Sequence, residues 1–327
     1  MKAQTLTILG MNRLGVSIGL AVKNSPLSMT IVGYDDHHGN AQQAEKLGAI
    51  DQARRNMVKA AAAADILVLA QPVSELEKAL AAIGADVQEH TVVIDLANLK
   101  TAGINWAAKH LQNGHYVGAK LMLAAGKLYD GRTGHEGAAA DLFANSIFCV
   151  MPSAKVDPAA VDTTVKFGAL LGAKPYFVDP VEYDMLVQGV ETVPGLAAAA
   201  LFGMVHQENS WRDILRFAGL PFAQATLPLT DGRALSQMAL ADKEATMRWL
   251  NAFISELEEV RRLVFDGDEE ILTAMLEQID IERERWLRER AKNEWLEVET
   301  PDVALPGLAQ QAFGSLAAPR RPRKGDD

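Results

Sequence analysis

Apolar residues in the first half of the chain follow two alternating patterns. Short uninterrupted apolar runs, which are typical of buried strands, alternate with longer segments whose apolar residues recur at helical spacing. Strict alternation of strand and helix predicts βαβ units, and therefore a mainly parallel sheet with helices on both faces. Ser74 and Glu77 have the spacing of a capping box, which predicts that they begin the third helix. The predicted strands are residues 6–9, 30–32, 66–69, 92–94, 116–118, 147–150 and 176–178, and the predicted helices are residues 14–23, 40–47, 74–83 and 102–112.

The pattern changes after about residue 179, where the strand signals stop. Residues 181–207, 239–265 and 269–298 each show helical spacing, which predicts an all-α second domain over residues 180–298. Because the second of these helices carries a long apolar stripe that needs a partner surface, we expect the domain to form a homodimer. The stripe consists of Met247, Leu250, Phe253, Ile254, Leu257, Val260 and Val264. The remaining residues, 299–327, are rich in Pro, Ala and Gly and are expected to form a flexible tail.

The composition is that of a soluble globular protein of two domains. Of the 327 residues, 49% are hydrophobic and 23% are charged, which is ordinary for a chain with a sizeable core. The net charge of −10 argues against nucleic acid or an anionic membrane as the main partner. The longest apolar stretch, residues 195–205, is about half the length of a membrane helix. A single cysteine, Cys149, excludes an intrachain disulfide, and no apolar targeting segment precedes the first strand, so we expect a cytoplasmic protein.

A glycine-containing turn links the first predicted strand to the first predicted helix. Between a strand and a helix, such a turn is typical of Rossmann-type domains, in which helix N-terminal amides hold a dinucleotide pyrophosphate. We therefore expect residues 1–179 to form an α/β dinucleotide-binding domain. Asn12 occupies the place of the middle glycine; asparagine tolerates left-handed backbone geometry better than most residues, and Arg13 could pair with phosphate. The six residues of the turn are Gly10, Met11, Asn12, Arg13, Leu14 and Gly15.

The same glycine spacing also fits a P-loop. Val16 stands where a P-loop requires lysine, which excludes an ATPase of that kind. No histidine or cysteine spacing suits a metal, so no metal site is predicted.

Polar residues follow other predicted strands at the same edge of the sheet. Asp35 ends the second strand, where Rossmann domains place an acidic residue that accepts hydrogen bonds from the adenosine ribose. Together with Asp36, it puts negative charge where a 2′-phosphate would be repelled, which predicts NAD rather than NADP as the coenzyme. The other predicted coenzyme contacts are Gln71, Pro72 and Asn98.

Short motifs spread over residues 6–201 resemble, in their order and spacing, the prephenate/arogenate dehydrogenases of tyrosine biosynthesis. The resemblance implies a Rossmann domain followed by a helical dimerisation domain, and NAD(P)-dependent oxidation of a small acid. The matching segments are residues 8–10, 14–15, 32–35, 47–51, 64–68, 71–73, 93–95, 142–143, 151–152, 171–173 and 180–184, together with Lys100.

The resemblance also implies which residues stand at the family's active-site positions. The family's catalytic histidine, which hydrogen-bonds the substrate hydroxyl during hydride transfer, lies in a segment matched by residues 118–122, with Lys120 in its place. Asn98 replaces a family serine, and Tyr183 replaces a second histidine. Lys120, Asn98 and Tyr183 are therefore the candidate catalytic residues.

Two further family positions differ. A histidine that precedes a proline is matched by Thr192 or a neighbour, and the region expected to supply an arginine for the substrate carboxylate, residues 225–227, contains none. Lys120 could donate a hydrogen bond, bind a carboxylate, or become a base after desolvation. Its side chain could instead extend to solvent, or pair with Asp95 or Asp184 as a structural cation. Because lysine replaces the histidine, we expect little or no prephenate dehydrogenase activity.

Three hypotheses about function stay open. The chain could be a prephenate or arogenate dehydrogenase with an altered site, or an NAD-dependent oxidoreductase for another small acid. It could also be a non-catalytic nucleotide-binding homologue with a regulatory or structural role.

Overall fold

One eight-stranded sheet forms the centre of the first half of the protein. The computed structural model describes residues 4–132 and 134–295 of the chain. The strands are β1 (Thr5–Leu9), β2 (Thr30–Tyr34), β3 (Gln52–Arg54), β4 (Ile66–Leu69), β5 (Val92–Asp95), β6 (His115–Leu121), β7 (Ile147–Pro152) and β8 (Lys174–Phe177). They lie in the order β3-β2-β1-β4-β5-β6-β7-β8. Neighbouring strands are parallel except β6 and β7, which confirms the predicted mainly parallel sheet.

Helices cover both faces of this sheet. Within β4, Ile66 and Val68 belong to one buried apolar cluster, whereas Leu67 and Leu69 belong to a second. Successive strand residues point to opposite faces, so a strand buried on both sides reads as a continuous apolar run. The α-helices of this half are α1 (Arg13–Lys23), α2 (His38–Lys46), α3 (Met57–Ala61), α4 (Val73–Ile83), α5 (Lys100–His110) and α6 (Pro158–Leu170), and two short 3-10 helices, Ala125–Lys127 and His135–Gly137, lie between β6 and β7.

The regular elements after β8 are all helical over the described residues. A continuous helix begins at Pro180, and Asp179 accepts a hydrogen bond from the Val181 amide as its N-cap. The elements are α7 (Pro180–Val187), a π-helical turn (Gln188–Thr192), α8 (Val193–His206), α9 (Trp211–Arg216), α10 (Leu220–Thr226), α11 (Gly232–Ala241), α12 (Lys243–Asp266) and α13 (Glu269–Lys292). The predicted change from an α/β to an all-α fold is confirmed.

The predicted start of the third helix is wrong. α4 begins at Val73 with Pro72 as its N-cap, so that Ser74 lies inside the helix. The Ser74 hydroxyl lies 3.5 Å from an Asp231 carboxylate oxygen of the helical half. Pro72 is extended, with a ψ of 154°, and the helical conformation starts at the next residue, one position before the expected capping box.

Two predicted helix boundaries in the second half also differ. The helix expected over residues 239–265 is interrupted at Asp242, whose side chain accepts from the Ala245 amide and caps α12. The helix expected to reach residue 298 ends at Lys292, and Asn293 follows in the left-handed region with φ of 52°. Residues 296–298 and the predicted tail lie outside the described residues.

The continuous helix Pro180–His206 is long and apolar enough, by length and composition alone, to cross a membrane. The apolar run noted in the sequence is only part of it. Two of its polar side chains, Asp184 and Gln188, are buried, so one side of this helix packs against protein.

Candidate coenzyme and active site

The turn between β1 and α1 has a geometry that requires its glycines. Gly10 has a φ of 101°, and a Cβ at this position would lie 2.8 Å from the carbonyl group of Ala70. A Cβ on Gly15 would lie 2.0 Å from the Gly10 carbonyl oxygen. Only glycine permits both contacts. The first amides of α1, those of Arg13 and Leu14, precede the intrahelical hydrogen bonds and are available to an anion.

Asn12 acts as the N-cap of α1. Its φ of −83° and ψ of −173° are extended, so the expected tolerance of left-handed geometry plays no part here. The Asn12 Oδ1 accepts from the Gly15 amide at 3.0 Å, and its Nδ2 donates to the Ala70 carbonyl at 2.8 Å. Asn12 therefore occupies one helix amide and connects the turn to the end of β4.

The structure gives Arg13 a partner other than the predicted phosphate. Its Nε donates to the Gly137 carbonyl at 2.9 Å, and its Nη1 donates to the Arg132 carbonyl. Its Nη2 forms an ion pair with Asp130 at 2.5 Å, and only 12% of the side chain is exposed. The guanidinium is thus held by the segment that follows β6, because this segment supplies both an anion and two carbonyl groups.

Asp35 follows β2 beside the glycine turn and forms hydrogen bonds within the protein. Its Oδ2 accepts from the Met11 amide at 2.8 Å, and its Oδ1 accepts from the His37 amide and the Asn40 side chain. The Met11 carbonyl is in turn a hydrogen-bond partner of His135. The carboxylate therefore fixes the turn against the end of β2.

The residues at this edge fit a dinucleotide coenzyme. The Oε1 atom of Gln71, at the end of β4, is buried without a hydrogen-bond partner among the described residues. Pro72 follows it as the N-cap of α4. A cavity of about 250 Å³ lies beside the turn and is lined by Asn12, Arg13, Leu14, Leu123 and Leu142. Free helix amides, an unpaired amide oxygen and the Asp35 carboxylate are the groups that such a coenzyme uses.

Lys120, near the end of β6, forms a polar cluster with Asn98 and Glu191. Its Nζ donates to the Asn98 Oδ1 and lies 3.9 Å from the Glu191 Oε1. The Lys120 side chain is 17% exposed. Asn98 also lies 3.4 Å from the Met238 sulfur of α11. Two of the three predicted catalytic residues are thus in direct contact, at the edge where the parallel strands end.

The predicted alternative partners of Lys120 are occupied by other groups. Lys100 donates to the Asp95 carbonyl and carboxylate at 2.9 and 3.1 Å and is fully buried. Asp184 accepts from the backbone amides of Lys100 and Thr101, each at 2.7 Å. A structural pair of Lys120 with Asp95 or Asp184 is therefore wrong. Burial lowers the pKa of Lys100, although the Asp95 charge opposes this shift.

Tyr183, the third predicted catalytic residue, is buried. It packs against Cys149 and Met151 of β7, and its hydroxyl has no partner among the described residues. Burial, and then the Glu191 charge, raise the pKa of Tyr183 well above 10. Since Lys120 and Cys149 are paired in register across β6 and β7, Tyr183 lies on the Lys120 face of the sheet.

Two family models match the chain in succession. The model of the prephenate dehydrogenase nucleotide-binding domain matches residues 18–177, and that of the prephenate dehydrogenase dimerization domain matches residues 179–278. The chain belongs to the prephenate dehydrogenase family. This confirms the resemblance that the motifs indicated. The first match begins after the glycine turn, the region in which Asn12 departs from the family pattern.

Similar proteins include two curated dehydrogenases. Prephenate dehydrogenase of Bacillus subtilis (strain 168) is 27% identical over 274 residues, which cover 82% of this chain and 72% of the relative. Cyclohexadienyl dehydrogenase of Zymomonas mobilis subsp. mobilis (strain ATCC 31821 / ZM4 / CP4) is 22% identical over 268 residues, which cover 80% of this chain and 90% of the relative.

Solved structures of family members share the fold. Prephenate dehydrogenase from A. aeolicus, in complex with hydroxyphenyl propionate and NAD+, has a TM-score of 0.73 and 21% identity, covering 87% of this chain and 99% of that one. Synechocystis arogenate dehydrogenase has a TM-score of 0.63 and 18% identity, covering 86% and 100%. At this level of identity, the likeness concerns the fold alone.

Several residues of the site were not predicted from the sequence. Glu191 lies in the π-helical turn, and Met238 reaches Asn98 from α11. The family position assigned to Thr192 is buried, with its hydroxyl unpaired among the described residues. π-Helical turns such as the one at residues 188–192 are frequent at functional sites, but no simple sequence pattern predicts them.

A cavity of about 820 Å³ lies away from the glycine turn, between α5 and the helices α7, α11 and α12. It includes Thr101 and Asp184 but none of the residues Lys120, Asn98 or Glu191. The smaller cavity beside the turn therefore marks the coenzyme edge better than the larger one. Among residues 4–132 and 134–295, no group of histidine, cysteine and acidic side chains could hold a metal ion.

Proposed function

We propose that this protein is an NAD-dependent dehydrogenase that oxidises prephenate, arogenate or another small acid of similar shape. The observation that carries the proposal is the contact between Lys120 and Asn98 at the same sheet edge as the turn from Gly10 to Gly15. Family membership adds a nucleotide-binding domain joined to a dimerization domain.

Each candidate catalytic residue has a proposed role. Lys120, as the cation of an ion pair with Glu191, donates a hydrogen bond to the substrate hydroxyl oxygen. Asn98 holds the Lys120 ammonium through its side-chain oxygen, and Glu191 is the neighbouring group able to accept the hydroxyl proton. The Tyr183 hydroxyl is buried. We therefore assign Tyr183 a packing role beneath this face of the site.

The coenzyme would be held by the turn and by the ends of β2, β4 and β5. The amides of Arg13 and Leu14 would meet the pyrophosphate, and Asp35 would meet the adenosine ribose. The coenzyme itself supplies a hydride acceptor. The remaining proposed contacts are Gly10, Met11, Asn12, Gly15, Gln71, Pro72 and Asn98.

Coenzyme titration followed by turnover assays tests the proposed activity. NADH should bind, and NADH absorbance should report slow oxidation of prephenate or arogenate. Lys120→Met should lower turnover by about a hundredfold, the usual contribution of a positioned acid–base group. Coenzyme binding without turnover of either acid would favour the alternative, a non-catalytic nucleotide-binding homologue. Full turnover by Lys120→Met would exclude the role proposed for Lys120.

We also propose that the helical domain forms a homodimer, with the domain boundary at about residue 179. The apolar stripe of α12 is exposed in one protomer: Leu257 is 52% and Val264 is 63% exposed. The helix Pro180–His206 would bury its remaining apolar surface in the same interface rather than in lipid. Light scattering should show a dimer at micromolar concentration, and Leu257→Glu should dissociate it. A monomeric wild-type protein would contradict the proposal.

We further propose that the protein is cytoplasmic. The single cysteine, Cys149, suits a reducing compartment, and the net charge of −10 argues against nucleic acid or an anionic membrane as a partner. Cell fractionation should recover the protein in the soluble fraction, whereas recovery with membranes would contradict this location.

A further inference from the structure

The last turn of α13 places an arginine at the edge of the sheet. Two hydrogen bonds, both made by residues just after Arg290, connect this end of the helix to the segment before β7. The Asn145 Nδ2 donates to the Ala291 carbonyl at 3.1 Å, and the Asn293 Nδ2 donates to the Ser146 carbonyl at 3.0 Å. The position of Arg290 is therefore fixed relative to the nucleotide-binding domain.

The Arg290 side chain points to the region that follows Lys120. Its Nη2 donates to the carbonyl of Leu123 at 3.1 Å, and Leu123 also lines the cavity beside the glycine turn. Its guanidinium carbon lies 5.9 Å from the ring centre of Trp286. The Nε atom is buried and has no hydrogen-bond partner among the described residues.

The positive charge of Arg290 has no anionic partner within the described part of the chain. Burial lowers the pKa of its guanidinium, although the charges of Tyr129 and Glu191 oppose this shift. Glu191 makes its own ion pair with Lys120. A partly desolvated arginine is normally paired with a carboxylate or phosphate, so this position suits an anionic ligand.

Stabilisation of the helix dipole does not account for this burial. Arg288 and Lys292 lie in the same end of α13 and also carry positive charge there. Both are exposed to solvent, and Arg288 pairs with Glu284 on its own helix. Arg290 differs because it faces the sheet.

We infer that Arg290 binds the carboxylate of the acid substrate, an inference that rests on the proposed function. Arg290 would take the place of the family's arginine for the substrate carboxylate, which residues 225–227 do not contain. A guanidinium offers a carboxylate two parallel hydrogen bonds, from Nη2 together with either Nε or Nη1. The Leu123 carbonyl takes one of the two Nη2 hydrogens, which leaves the second to act together with a neighbouring nitrogen. The site thus combines a carboxylate anchor on α13 with the Lys120 cluster on β6.

The test compares an acid with its neutral amide. Hydroxyphenyl propionate and its carboxamide are titrated calorimetrically into the full-length protein saturated with NADH. The wild-type protein should bind the acid about ten- to a hundredfold more tightly than the amide, the usual effect of hydrogen bonds to a charged group. Arg290→Gln should abolish this preference and Arg290→Lys should retain part of it. Arg288→Gln, the matched control on the same helix, should leave it unchanged.

Three results would overturn the inference. The first is equal binding of acid and amide by the wild-type protein. The second is an undiminished preference in Arg290→Gln, or in Arg290→Lys if the glutamine variant fails to fold in thermal unfolding. The third is weaker NADH binding by Arg290→Gln with unchanged affinity for the acid, which would assign the arginine to a coenzyme phosphate. An intact acid preference in a protein without prephenate or arogenate turnover would instead refute the proposed function alone.

Discussion

Asp184 joins the two halves of the protein through the first turn of α5. Its two carboxylate oxygens accept from the amides of Lys100 and Thr101, each at 2.7 Å, and the residue is 8% exposed. Hydrogen bonds to charged groups contribute about 1.5–3 kcal/mol each, a gross total of about 3–6 kcal/mol. Because Asp184→Ala also removes the cost of burying a carboxylate, we expect a net loss of about 2–4 kcal/mol in the free energy of unfolding.

Asp179 provides a matched control, since it caps α7 in an exposed position. It accepts from the amides of Val181 and Glu182 at 2.8 and 3.2 Å. Asp179→Ala should therefore lose about 1 kcal/mol, the usual value of an N-cap. Urea unfolding at fixed protomer concentration measures both variants and avoids differences due to association. If Asp184→Ala were no less stable than Asp179→Ala, the connection through α5 would contribute little.

Three further outcomes follow from the described geometry. Burial favours the neutral form of Asp65, but hydrogen bonds from the Gln4 and Thr5 amides outweigh it and lower its pKa. The free energy of unfolding should therefore be retained above about pH 4 and fall as the pH decreases below it. In Asp65→Asn, the urea midpoint should fall less over the same pH range; an unchanged pH dependence would contradict this role of Asp65. Burial raises the pKa of the Cys149 thiol to about 11, so iodoacetamide should label the native protein far more slowly than the unfolded one, and equal rates would show that the thiol is accessible. NADH should bind at least about tenfold more tightly than NADPH in fluorescence titration because Asp35 repels a 2′-phosphate; equal affinity would refute this preference.

The sheet could be predicted from the sequence because its strands are buried on both faces. β4, with four buried residues, reads as an apolar run wherever it stands in the chain. β3 (Gln52–Arg54) was missed since it is a short edge strand with largely exposed polar residues. The break before α12 was missed because the apolar period continues across Asp242, and only the conformation of this residue ends one helix and begins the next.

The candidate site could be predicted only where its parts are local in sequence. The turn from Gly10 to Gly15 is recognisable because strand, turn and helix are adjacent. The partner of Arg13 is Asp130, which is 117 positions away, and the partner of Lys120 is Glu191 on a different domain. Such pairs depend on how elements pack together, which no local pattern specifies.

The contacts around Arg13 determine how coenzyme affinity should respond to salt. Asp130 already neutralises this guanidinium, so a pyrophosphate at the turn would meet the peptide dipoles of Arg13 and Leu14 instead of a free cation. Attraction to the partial charges of the first helical turn is weaker than attraction to a full positive charge, so affinity should fall less with added salt than it would with a free guanidinium. Separation of Asp130 from Arg13 would release the guanidinium and make affinity fall more steeply with ionic strength. The slope of affinity against salt therefore distinguishes an Arg13 paired with Asp130 from a free one.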